Sequence, residues 1–198
     1  MAMSDSEREM PFLEHLEELR WRIFKALIAF VLGMIICFIF AKQLLNVLTY
    51  PTTLLNPPLN LQVLKVQGMF IVYIEIGFFG GVIFALPVIL YQFWSFISPG
   101  LKPDERRYFI PLLGSATLLF LLGVSFAYFG IMPYALRFFI GLAPTEIDPN
   151  IAIDFYIGFI IRLMLLFGLV FEMPVISYFL GKIGLIDTAL MKKYRRHA

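Results

Sequence analysis

Residues 26–41 contain no charged side chain, and neither do residues 108–132. Runs of about 20 such residues match the ~30 Å hydrocarbon thickness of a bilayer when wound as a helix. Inside hydrocarbon no water satisfies backbone N–H and C=O groups, so a helix, which bonds its own, is the fold such a run dictates. Two more apolar runs occur at 69–97 and 151–180. The first carries Glu75 and Pro87, and the second is interrupted by Arg162, Glu172 and Pro174. The expectation is an all-α, polytopic membrane protein with four transmembrane helices. Composition supports it: 60% of residues are hydrophobic and 15% charged, against roughly 45–50% and about 25% in a soluble domain.

The chain then divides as one membrane domain. A polar segment, 1–22, precedes spans at 23–41, 69–97, 108–132 and 151–180. Connections fall at 42–68, 98–107 and 133–150, and a tail covers 181–198. Residues 43–48 suggest a short interfacial helix, with Pro51, Pro57 and Pro58 ending any longer one. The runs 69–97 and 151–180 exceed a perpendicular crossing, so tilt, or kinks at Pro87 and Pro174, are expected.

Lys and Arg near span ends set the orientation. Arg8, Arg20, Arg22 and Lys25 lie at the first end; Lys102, Arg106 and Arg107 lie in the short second connection; the tail holds Lys182, Lys192, Lys193, Arg195 and Arg196. The alternate connections hold only Lys42 and Lys65, then Arg137. Both termini are therefore expected in the cytoplasm. Cys37 stands alone, and His15 and His197 have no neighbours at ligand spacing, so neither a disulfide nor a metal site is expected. No P-loop, GxSxG or paired His–Glu zinc motif occurs, and no cofactor, enzymatic step or nucleic-acid partner is expected.

Five features can carry function. In 12–22, Phe12, Leu13, Leu16 and Leu19 share a helical face with Ile23, while Glu14, Glu17 and Glu18 take the polar side. Glu18 and Arg22 stand four apart in the order that favours an ion pair. Segment 1–22 has six carboxylates against three arginines, a poor match to an anionic lipid surface and a good one to a cationic ligand. An interfacial anchor with a solvated acidic face is the plainer alternative. Asp104, Glu105, Arg106 and Arg107 form the second feature, a binding site or simply charges that fix topology. Glu172 is the third, because an ionisable group within a span is costly and marks a functional candidate. Glu75 and Arg162 are the fourth and fifth, placed to pair with one another or to snorkel. Gly77 and Gly81 form a GxxxG suited to close helix packing within the chain.

His15-Leu16-Glu17-Glu18-Leu19-Arg20-Trp21-Arg22, Leu86-Pro87-Val88-Ile89-Leu90-Tyr91-Gln92-Phe93-Trp94-Ser95-Phe96, Glu105-Arg106-Arg107, Phe126-Ala127-Tyr128-Phe129 and Phe171-Glu172-Met173-Pro174-Val175 occur in an order that resembles the TatC subunit of the twin-arginine protein translocase. The resemblance implies a cupped, concave helical arrangement of six spans. It implies a receptor, in a bacterial-type cytoplasmic (inner) membrane, for folded proteins bearing twin-arginine signal peptides. Glu18 and Glu105 would contribute to recognising the arginine pair, with Arg20, Phe96 and Arg106 around them. Arg22, Pro51 and Pro87 would be structurally or functionally sensitive, and Glu172 would face a partly hydrated groove. Implied partners are single-span TatA- and TatB-type subunits, the lipid bilayer and further copies of the chain, with transport driven by the proton-motive force. Four spans are counted where the family has six, so the chain is expected to be a truncated or shortened form. A proton-coupled carrier using Glu75, Arg162 and Glu172 is the competing reading, and an intramembrane enzyme a remote one.

Overall fold

A computed structural model describes residues 5–55, 58–97, 109–142 and 150–182, with side chains described over 15–55, 58–96, 110–142, 150–178 and at 181. Four helices among these are long and apolar enough to cross a membrane: His15–Ile39, Gly68–Phe96, Ile110–Gly141 and Ile153–Tyr178. The chain forms two compact units, 1–100 with 150–161, and 101–149 with 162–198.

In the first unit, helix α1 (Asp5–Ile39) joins the amphipathic 12–22 segment to the first apolar run without a break. At 1.5 Å per residue such a helix outruns the hydrocarbon and carries its charged residues beyond it. One turn residue, Phe40, leads into α2 (Ala41–Thr53). Ala41, Leu45, Leu48, Pro51 and Thr52 are buried there, one helical face at steps of three and four. The sequence suggested a shorter helix ended by its prolines. Instead α2 runs two residues past Pro51, which sits in the last turn where only one ladder bond is forfeited. The Thr52 and Thr53 hydroxyls donate back to the Thr49 and Tyr50 carbonyls, each at 2.8 Å.

Helix α3 (Gly68–Ile97) continues through Pro87 and packs on α1 through glycines. A Cβ built on Gly33 would lie 3.3 Å from the Gly81 Cα and 2.9 Å from the Phe84 Cβ. One on Gly80 would fall within 2.6 Å of the Cys37 Cβ, and one on Gly77 3.4 Å from the Met34 carbonyl. The absent side chains let the two backbones approach, as small residues do between membrane helices. The GxxxG thus packs within the chain.

Two short strands went unforeseen. Strand β1 (Leu61–Gln62) pairs in parallel with β2 (Ile151–Ala152), Leu61 opposite Ile151 and Gln62 opposite Ala152. Gln62 Nε2 donates to Asn150 Oδ1 at 3.1 Å, and Lys65 Nζ meets Asp154 Oδ2 at 2.8 Å. The Tyr156 hydroxyl donates to the Leu48 carbonyl at 2.9 Å. Residues 61–65 are thereby tied to residues 150–154 within this unit.

In the second unit, α4 (Phe109–Ser125) passes into a π-helical stretch, Phe126–Ile131, and then into α5 (Met132–Gly141). The sequence placed the end of this span near residue 132. The helix instead continues to Gly141, because the π stretch resets the hydrogen-bonding register and Pro133 falls in the first turn of α5, where its missing N–H costs nothing. Helix α6 (Ile153–Lys182) gives its residues from 162 onward to this unit. Gly123 abuts the Phe167 carbonyl, Gly168 abuts the Phe120 ring, and Phe126 packs on Phe167 and Phe171 with centroids 5.7 and 5.8 Å away. Phe120 and Met132 are fully buried.

Candidate functional site

The polar chemistry of the first unit gathers where α1 and α3 meet before the charge-free run. His15, Glu18 and Arg22 repeat at three and four residues, one face of α1. Gln92 and Phe96 stand one turn apart on α3. Arg22 Nε and Nη2 both donate to Glu18 Oε1, at 3.0 and 2.5 Å. Its Nη1 reaches Gln92 Oε1 at 3.5 Å, a marginal contact by hydrogen-bond standards. The other carboxylate oxygen, Oε2, lies 3.6 Å from His15 Nδ1. The His15 ring stacks on Phe96, centroids 4.3 Å apart and planes within 16°.

Glu18 lies ahead of the apolar run, at the water-facing end. The Arg22 guanidinium bonded to it holds its carboxyl below the usual carboxylate range, against a smaller upward push from desolvation. Its side chain remains 37% exposed. One oxygen is thus engaged by an internal guanidinium while the other edge borders an aromatic stack and solvent. A second guanidinium finds there a charged acceptor and a flat surface to stack on.

Of the residues singled out in the sequence, Glu18, Arg22 and Phe96 come together. Arg20 turns elsewhere, donating to Glu17 Oε1 at 3.1 Å with its guanidinium carbon 5.7 Å from the Trp21 ring centroid. Glu105 and Arg106 lie outside the described residues. Pro51 is buried in α2, beyond the far end of α1, and Pro87 is exposed within α3. Glu172 is 6% exposed, and its Oε1 has no hydrogen-bond partner among the described residues. Glu75 belongs to the first unit and Arg162 to the second. His15 and Gln92 were missed. Their helical spacing from Glu18 and Phe96 is the signal that could have found them. Among the described residues no three His, Cys, Asp or Glu side chains are grouped to hold a metal ion.

Fold and site together define a multi-span α-helical membrane protein with an acid–guanidinium–aromatic cluster at the water-facing end of its first helix pair. The model of the Sec-independent protein translocase protein (TatC) family matches residues 14–198, so the chain belongs to the TatC family. It is 43% identical to the Sec-independent protein translocase protein TatC of Aquifex aeolicus (strain VF5) over 190 residues, 95% of this chain and 79% of that one. To its counterpart in Desulforapulum autotrophicum it is 35% identical over 197 residues, 99% of this chain and 73% of that one. A crystal structure of the twin arginine translocase receptor TatC superposes with a TM-score of 0.82 at 43% identity, covering 92% of this chain and 82% of that one.

Proposed function

We propose that this chain is the receptor subunit of a twin-arginine translocase, binding the paired arginines of signal peptides on folded precursor proteins at the water-facing end of α1 and α3. The observation that carries the reading is the Glu18 carboxylate. It is kept ionised by Arg22, stays 37% exposed with His15 Nδ1 3.6 Å from its Oε2, and is flanked by the His15–Phe96 stack. The name of the structurally similar receptor supports it. In this reading Glu18 takes one guanidinium, Glu105 takes the other, and Arg106 and Arg20 shape the field around them. Glu172 supplies a polar point within the second unit. Pro51 and Pro87 act through the helices they sit in.

The same reading puts both termini in the cytoplasm of a bacterial-type inner membrane. Recruited TatA- and TatB-type single-span subunits would complete the passage, driven by the proton-motive force. No chemical step is assigned to the chain.

Binding of a fluorescent twin-arginine signal peptide to the solubilised chain tests this. Hydrogen bonds to charged groups contribute about 1.5–3 kcal/mol each, so the Glu18→Ala, Glu105→Ala double variant should bind at least about tenfold more weakly. A twin-lysine peptide should also bind more weakly, since it keeps the charge and loses the planar fork. Equal binding of both peptides by the folded chain would sink the proposal.

A further inference from the structure

Between Lys42 and Glu75 the sequence has one charged residue, Lys65. A connection immersed in water would carry several times that density, since about a quarter of the residues in a soluble domain are charged. Even this charge is paired within the chain. Lys65 Nζ is 2.8 Å from Asp154 Oδ2 and 4.6 Å from the centroid of the Phe155 ring. Asp154, only 9% exposed at its side chain, is thereby neutralised.

Beside the exposed Gln62 and Gln67, the segment turns apolar side chains outward. Val63, Leu64 and Val66 are 54%, 63% and 104% exposed, so Val66 makes no contact that shields it. Flanking them in the same unit, Phe70 in the first turn of α3 and Phe155 in the first turn of α6 are 62% and 68% exposed. Both belong to helices long and apolar enough to cross the membrane. A contiguous apolar surface of this kind on a water-facing loop would be an aggregation liability. The pairing of β1 with β2 and the Gln62–Asn150 bond hold the segment in this presentation.

We infer that residues 63–66 form a wedge that inserts into the lipid head-group layer on the side of the membrane away from the start of α1. The occupant is lipid because the exposed residues continue the lipid-facing surface of α3 and α6, and because the single charge is neutralised internally. Burying Val63, Leu64 and Val66 among the upper acyl segments gains apolar burial, while the Lys65–Asp154 pair stays at head-group depth. The inference is independent of signal recognition.

The test uses the full chain in vesicles of pure phosphatidylcholine, with an environment-sensitive dye on Leu64→Cys and on Val66→Cys. Cys37 is 5% exposed, and the unsubstituted chain measures its background labelling. The expected result is emission shifted to the blue, at least threefold weaker quenching by aqueous iodide than for the dye on glutathione, and quenching by lipids nitroxide-labelled at the head group. Iodide quenching equal to that of the glutathione adduct would overturn the inference. So would a dye shielded from both quenchers, which would mean that protein, such as a second copy of the chain, covers the segment. Both positions are surface sites, and retained elution volume in detergent verifies that each variant is folded.

Discussion

Gly123→Ala should destabilise the second unit, whereas Gly114→Ala, two and a half turns earlier in α4, should not. A Cβ on Gly123 would lie 2.5 Å from the Phe167 carbonyl oxygen and 3.0 Å from both the Phe167 carbonyl carbon and the Gly168 Cα. These are backbone atoms of α6 and cannot rotate away. Restoring an ordinary contact of about 3.4 Å requires the two helices to part by close to 1 Å, a gap that forfeits a quarter to a half of each dispersion contact across the crossing. The Phe120 ring packed on Gly168 would be displaced with it. Overpacking of this kind costs about 1–3 kcal/mol, and immovable backbone puts Gly123 at the upper end. At Gly114 the new methyl would meet nothing within 4 Å, and Ala gains about 0.5–1 kcal/mol over Gly in a helix interior. The variants should differ by about 3 kcal/mol, with opposite signs. Reversible unfolding of the chain in mixed micelles, followed by far-ultraviolet circular dichroism, measures both. A Gly123→Ala variant within about 0.5 kcal/mol of Gly114→Ala would refute the close α4–α6 approach.

Three further outcomes are expected. Lys65→Met should leave the Asp154 carboxylate without its cation and lower the melting temperature, while the double change with Asp154→Asn should recover most of the loss; a double-mutant cycle by thermal unfolding reads the coupling. Arg22 depresses the Glu18 pKa, so the carboxylate keeps its charge to lower pH than an ordinary glutamate and loses it only as pH falls further. In Arg22→Gln the protonation should move back up toward the ordinary glutamate range, visible as acid weakening of twin-arginine peptide binding at a higher pH than in the unsubstituted chain. Glu172→Gln should be neutral or stabilising by about 1 kcal/mol, because the amide occupies the same buried site without the cost of enclosing a charge; a melting temperature several degrees lower would mean that the carboxylate has a partner it needs.

The spans were legible because their signal is an energetic exclusion. A charge in hydrocarbon is costly, so the uncharged runs mark the helices with little dependence on neighbours. The end of the third was not legible, since Pro133 reads as a breaker only when the preceding register is α-helical. The π stretch over Phe126–Ile131 changes that register, and a motif noticed for its family resemblance proved to be the structural irregularity itself. The β1–β2 pairing was hidden for a different reason. Two residues are too few for alternation to show, and partners ninety residues apart in sequence leave no local trace.

The site was half legible for a reason that the helix crossing explains. The Glu18–Arg22 pair is local and comes from spacing four. Its meeting with Gln92 and Phe96 depends on which faces of α1 and α3 touch, and the glycines decide that. Gly33 and Gly81 face one another at a close approach of the two helices. Eleven residues make about three turns; stepping back by that number from Gly33 reaches Arg22, and stepping forward by it from Gly81 reaches Gln92. These are the two side chains found in contact. Further along the same seam His15 stacks on Phe96. For antiparallel helices of equal rise, one close crossing sets which side chains can meet further along the seam. The glycines deep in the apolar run therefore set the geometry of the charged cluster at its end, and a bulky side chain at Gly81 would shift Arg22 and His15 against α3 without touching either.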